Sequence, residues 1–209
     1  MPRPLVLALP KGRVLEEAVS VFGRAGYDLS AAMGDTRALV HDLGPLRVLV
    51  VRPSDVPIYV EHGAADLGVA GRDVLEEHES ELQRPLDLKI GACRLSVAEP
   101  EAHPVNERGL IHVRIATKYP RLTRRWLESR GLFAEIIELS GSIELGPLTG
   151  LCDRIVDLVS SGATLRANGL REVEIILPVT SSLVVNRASL KLRGPELDAI
   201  IRRLRDAVV

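Results

Sequence analysis

Apolar positions along this chain gather into short unbroken runs, and the stretches between them have helical spacing. Residues 46–51 are an almost pure Val/Leu run, residues 4–9 are apolar, and residues 65–70 and 154–159 are mainly apolar around Asp66 and around Arg154 and Asp157, as expected of largely buried strands. Residues 14–26 have helical spacing and stop at Gly26. Residues 52–57 form a loop into a helix ending near Gly63, and residues 73–81 predict an acidic helix. This alternation predicts a parallel α/β sheet covered on both faces. Further strands are predicted at 94–98, 112–117, 135–139, 173–177 and 183–186, with a polar loop through Gly109. A basic helix over 121–130 ends at Gly131. A terminal helix over 196–207 puts Leu197, Ile200, Ile201 and Leu204 on one face.

One stretch has a distinct chemistry. The buried run 154–159 feeds Ser160-Ser161-Gly162-Ala163-Thr164, and helix-forming residues follow until Gly169. The first amides of a helix have no internal acceptor, so a strand–turn–helix of this composition can hold an anion. Gly162 allows close backbone approach, and Ser160, Ser161 and Thr164 add hydroxyls. The turn has no lysine and no Gly-Lys-Ser/Thr ending, so it is not the common nucleotide loop. Asp157 and Glu144 lie nearby in sequence and would repel a bare phosphate; a ribose 5-phosphate, with hydroxyls for the carboxylates, suits the set. The same residues also fit an ordinary strand–turn–helix with a Ser/Thr cap.

Composition narrows the classes. The 209 residues are 46% hydrophobic but only 3% aromatic, so the core is aliphatic and no base-stacking platform is present. A net charge of −1 argues against a nucleic-acid-binding protein. The first apolar run breaks at Pro10-Lys11-Gly12, too short for a signal or membrane segment, and no other stretch is long enough to span a bilayer. Cys93 and Cys152 read as reduced thiols of a cytoplasmic protein. His41, His62, His78, His103 and His112 have no zinc spacing.

Ligands of α/β sheets sit at the carboxyl ends of strands. Lys11 and Arg13 flank Gly12 at such an end and could hold a di- or triphosphate, though a solvated surface pair is the plain alternative. Arg52 closes another strand. Arg37 is a weaker candidate, and Asp66, Asp73 and Asp153 could bind hydroxyls or be caps. Asp66-Leu67 precedes Gly71 as Asp157-Leu158 precedes Gly162, a short echo suggesting two lobes of like construction around a cleft. Arg121, Arg124, Arg125 and Arg130 read as a solvated helix face or a partner surface.

Four motifs in order carry a resemblance: residues 9–13 (Leu-Pro-Lys-Gly-Arg), residues 66–73 (Asp-Leu-Gly-Val-Ala-Gly-Arg-Asp), residues 116–120 (Ala-Thr-Lys-Tyr-Pro) and the stretch from Gly141 to Leu165. Together they resemble ATP phosphoribosyltransferases across essentially the whole chain. Two mild departures are Cys152, where the family usually has Ala, Ser or Gly, and Gly146, where Ala is expected. The resemblance implies a two-lobed α/β fold like type II periplasmic binding proteins, with a cleft between the lobes. Residues 1–93 with 188–209 would form the ATP and pyrophosphate lobe, and residues 94–187 the phosphoribosyl pyrophosphate (PRPP) lobe. It implies attack of ATP N1 on PRPP C1 with loss of pyrophosphate, the first step of histidine biosynthesis.

In that scheme Glu144, Asp157, Ser160, Ser161, Gly162, Ala163 and Thr164 bind PRPP. Lys11, Gly12, Arg13, Arg37, Arg52, Asp66, Asp73 and Tyr119 face ATP or pyrophosphate, with Lys11, Arg13 and Arg52 acting catalytically. Mg2+ would travel on the pyrophosphate. The chain ends after the terminal helix, as in short forms, which implies a homodimer assembled with a regulatory subunit similar to histidyl-tRNA synthetase, and no nucleic-acid or membrane partner. The rival readings are a non-catalytic cytosolic binding protein for a phosphorylated metabolite, which would not need Lys11 and Arg13, and an inactive regulatory subunit.

Overall fold

The computed structural model describes residues 3–34, 37–105 and 113–208. The chain divides into two compact units, residues 1–91 with 180–209, and residues 92–179. The sequence placed the crossings at 93/94 and 187/188. The return comes earlier because residues 181–185 already pair with a strand of the first unit.

In the first unit, β1 (Leu5–Pro10) is buried along its whole length. It pairs in parallel with β3 (Leu46–Val51) and β4 (Leu67–Gly71). A short edge strand, β2 (Val40–Leu43), runs antiparallel to β3. β9 (Leu170–Val185) runs antiparallel to β4, so the predicted all-parallel sheet is in fact mixed. Alternation along β1 decides the packing. Leu5, Leu7 and Leu9 join one core cluster with α1 (Arg13–Arg24) and α8 (Gly194–Ala207), while Val6 and Ala8 join another with α2 (Val56–Glu61) and α3 (Arg72–Glu77). α1 buries Leu15, Ala18, Val19, Val21 and Phe22, and each large side chain contributes about 1.5–3 kcal/mol. α8 buries the four residues its periodicity predicted. α7 (Arg187–Leu192) is capped by Asn186, whose side chain accepts the Ser189 N–H.

The second unit takes part of β5 (Gln83–Pro100) and the first part of β9, with β6 (Arg114–Thr117), β7 (Glu135–Glu138) and β8 (Arg154–Val159). Its strand order is β9-β5-β8-β6-β7. β6 is parallel to both β7 and β8, and β5 is antiparallel to β8. The helices are α4 (Pro120–Arg130), ended by left-handed Gly131, α5 (Leu145–Leu148) and α6 (Ala163–Ala167). The strand read at 112–117 begins at Arg114, and His112 lies outside the described residues. The strands read at 173–177 and 183–186 are parts of the single β9. No helix among the described residues is long and apolar enough to cross a membrane.

One buried charge cluster braces this unit. Glu99 on β5 and Arg154 on β8 meet at 3.0 Å with side chains 2% and 6% exposed, and Arg171 reaches the other Glu99 oxygen at 2.8 Å. Burial pushes the Glu99 carboxyl up, but hydrogen bonds from Arg171, Arg154 and the Val105 N–H outweigh it and hold it below its ordinary value. Glu99→Gln should therefore cost about 3 kcal/mol in urea unfolding at pH 7, because it strands the Arg154 charge. Since the folded carboxyl titrates lower than the unfolded one, this contribution is complete above the ordinary value of 4.5. It fades as pH falls through the folded value, so the gap between wild type and variant should close in acid.

Candidate functional site

Parallel register assembles the candidate residues of each unit. In the first, Pro10 is paired with Val51, so Lys11 and Arg52 leave neighbouring strands side by side. The Lys11 N–H donates to Val51 O at 2.9 Å and fixes the turn. Gly12 follows with φ +88, a left-handed conformation that an L side chain strains to adopt. Arg13 opens α1 and lies 3.5 Å from Glu17. Lys11, Gly12, Arg13 and Arg52 are all exposed, so a cationic loop end is presented to solvent. Arg37 is also exposed, on a turn after the undescribed residues 35–36.

Two first-unit candidates behave otherwise. Asp66 is fully buried at the opposite, amino-terminal end of β4. It accepts from the Val6 N–H (2.9 Å), Arg3 (2.9 Å) and Ser189 Oγ (2.7 Å), and Arg193 stands 3.6 Å away. Val6 and Lys11 are about 16 Å apart along β1 at strand rise. Asp66 thus ties the first strand to the C-terminal helices, and the echo with Asp157 is one of sequence only: Asp66 precedes its strand, whereas Asp157 lies within β8. Asp73 is buried in the first turn of α3 with its carboxylate against Gly71, where a Cβ would collide with it.

In the second unit, Thr117 ends β6 opposite Val156 of β8. The next residues, Lys118 and Asp157, form an ion pair at 3.0 Å. The Asp157 side chain is 15% exposed and also accepts the Leu158 N–H at 2.8 Å. Lys118 Nζ lies 5.5 Å from the centre of the Tyr119 ring. That ring is buried in the core cluster of this unit. Lys118 was missed as a site residue because its partner is 39 positions away; only the β6–β8 register joins them.

The turn itself follows β8. Arg94, bound through two of its nitrogens to Glu172, donates from the third to Ser160 O at 2.9 Å and pins the turn's entry. Gly162 caps α6 with φ +73, and the Ala163 N–H reaches Ser161 Oγ at 3.3 Å. The first backbone bond of α6 runs from Arg166 N–H to Gly162 O. The amides before it, at Ala163, Thr164 and Leu165, are the ones a helix cannot satisfy internally. Arg166 donates to Ser161 O at 3.2 Å, bringing a second unforeseen cation to the turn. Ser160, Ser161, Ala163 and Thr164 are exposed. Glu144 is half-buried at the start of α5, and no side-chain ion pair holds its carboxylate among the described residues. Asp153 pairs with Arg114 at 3.1 Å and is a brace. Among the described residues no group of three or more His, Cys, Asp or Glu could hold a metal ion.

The chain therefore has a two-unit α/β fold like that of type II periplasmic binding proteins, with a cationic strand-end loop on one unit and an amide turn beside a Lys–Asp pair on the other. The fold is shared with a periplasmic sulfonate-binding protein from Methylobacillus flagellatus (TM-score 0.65, 12% identity, covering 98% of this chain and 68% of that one). The HisG family model, described as ATP phosphoribosyltransferase, matches residues 52–206. The chain is 49% identical over 204 residues to ATP phosphoribosyltransferase 2 of Geobacter sulfurreducens (96% of each chain). It is 52% identical over 209 residues to the ATP phosphoribosyltransferase of Acidithiobacillus ferrooxidans (98% of this chain, 97% of that one). A solved ATP phosphoribosyl transferase (HisG:HisZ) complex from Thermotoga maritima matches with TM-score 0.83 and 33% identity over 98% of both chains. The chain belongs to the ATP phosphoribosyltransferase family.

Gly146 and Cys152, within and after α5, are coupled in volume. A Cβ on Gly146 would stand 2.6 Å from Cys152 Sγ, so the larger residue at 152 needs the smaller one at 146. Burial pushes the Cys152 thiol up, which keeps it a neutral packing group. Gly146→Ala alone should cost about 1–3 kcal/mol by overpacking. Cys152→Ala in the same chain should restore most of it. Thermal unfolding of the two single variants and the double variant measures this.

Proposed function

We propose that this chain transfers the phosphoribosyl group of PRPP to N1 of ATP, giving N1-(5-phosphoribosyl)-ATP and pyrophosphate, the first step of histidine biosynthesis. The observation that carries the reading is the amide turn at Gly162 beside the Lys118–Asp157 pair, in a chain of this family. The 5-phosphate sits on the amides and hydroxyls of residues 160–164, with Lys118 and Arg166 offsetting its charge. Asp157 and Glu144 accept from the ribose hydroxyls. Lys118 answers the objection that a carboxylate repels phosphate, because Asp157 is already paired.

The N1 lone pair of ATP attacks C1 as the C1–O bond breaks, and pyrophosphate leaves with the bonding electrons. Lys11, Arg13 and Arg52 stabilise that departing charge, which grows in the transition state, and the Gly12 backbone and Arg37 add contacts to the polyphosphates. Asp66 and Tyr119 have no part in this scheme, and Asp73 at most a contact to ATP. Magnesium enters on the pyrophosphate as part of the substrate. The regulatory partner is a subunit of the HisZ type, resembling histidyl-tRNA synthetase and assembled on a homodimer of this chain, in the cytoplasm. A non-catalytic binding role leaves the cations of the first unit without a purpose.

Mixing the protein with ATP, PRPP and magnesium, with and without the partner subunit, should release pyrophosphate. No release under either condition would sink the reading. Lys11→Ala should lower kcat/KM about 100-fold with an unchanged melting point, and an unaltered kcat/KM removes Lys11 from the site. Gly162→Val, which puts a branched side chain at a left-handed position, should abolish PRPP binding by calorimetry; normal affinity contradicts the phosphate assignment.

A further inference from the structure

Glu17 lies one helical turn beyond Arg13, and its carboxylate has two partners. One oxygen stands 3.5 Å from Arg13 Nε. The other accepts the Gly91 N–H at 2.7 Å. Gly91 is the last residue before the chain crosses from the first unit to the second. Its φ is +65, and a Cβ there would stand 3.0 Å from Val14 Cγ2 and 3.0 Å from Ser181 Oγ. Val14 belongs to α1, and Ser181 follows the second crossing at 179/180. Two residues before Gly91, Lys89 is also left-handed, with φ +54. Asp87 holds the Lys89 N–H at 2.8 Å and accepts from Thr180 Oγ1 at 3.0 Å. The helix that carries the cationic loop, the outgoing strand and the returning strand thus converge on one glycine.

We propose that Glu17 is a positioning residue for the phosphoribosyl transfer. Moored to the Gly91 amide, it holds the Arg13 guanidinium beside the first turn of α1 and links that placement to the conformation of the crossing strand. This rests on the reading of Arg13 as a pyrophosphate-binding group. An exposed i,i+4 pair alone restrains a side chain weakly. A carboxylate with one oxygen fixed by a backbone donor has lost most of its rotamer freedom, so the other oxygen is a fixed target for Arg13. A cation held in place before the substrate arrives needs no reorganisation when the leaving group takes up charge. Gly91 completes the arrangement, since its left-handed φ strains any side chain and a Cβ there would crowd Val14 and Ser181.

The test is a double-mutant cycle of Glu17→Gln and Arg13→Ala in the full chain, assayed by pyrophosphate release, with melting temperatures and amide exchange at Gly91. Glu17→Gln keeps an acceptor for the Gly91 N–H, so stability and Gly91 protection should hold. Its kcat/KM should fall about tenfold, Arg13→Ala should lose about 100-fold, and the double variant should be no worse than Arg13→Ala alone. Losses that multiply in the double variant overturn the inference while leaving the role of Arg13 intact, as does Glu17→Gln with wild-type kinetics. Arg13→Ala at full activity overturns the reading of the loop itself, and the inference with it.

Discussion

Two strands that run parallel and end in register deliver their next residues to the same place. In the first unit the β1–β3 pair does this for Lys11 and Arg52. In the second, the β6–β8 pair does it for Lys118 and Asp157. Everything chemical in the molecule depends on that register, because a slip of one residue would turn each of these side chains to the other face. The aliphatic cores hold it: β1 is buried on both sides, and β6 and β8 supply Ile115, Ala116, Ile155 and Val156 at 1% exposure or less.

Around the turn at Gly162, charge is handled by balance rather than by a dedicated lysine in the loop. The backbone supplies dipoles at Gly162. Lys118 arrives from a neighbouring strand and Arg166 from the helix beyond, while Arg94 fixes the turn's entry through Ser160. In the proposed reading, the Lys118 charge offsets Asp157 beside the sugar phosphate. Packing beneath the signature stretch shows the same compensation in volume, with Gly146 making room for Cys152.

Much of this was legible in the sequence. The runs 46–51 and 154–159 are β3 and β8 to the residue, because a mainly apolar run that stops at Arg52 or at Ser160 has a sharp end. The turn at Gly162 and the loop at Gly12 showed in composition alone. Other features could not. β2 is a four-residue edge strand with exposed Val40, too short and too polar to announce itself. β5 and β9 were read only in fragments, since Arg84, Asp87, Lys89 and Glu172 interrupt their apolar pattern where one face meets solvent or an ion pair. Asp66 looked like a ligand residue because sequence does not show which end of a strand a carboxylate occupies. Lys118 stood inside a recognised motif but gains its meaning from Asp157, a contact that only tertiary pairing creates.

The central claim is that the backbone amides just past Gly162 receive a sugar phosphate. Titrating the 15N-labelled protein with ribose 5-phosphate tests it most directly. The account predicts saturable downfield proton shifts for the amides of Ser161 to Leu165. Shifts confined to other parts of the chain, with these amides unmoved at saturation, would contradict it.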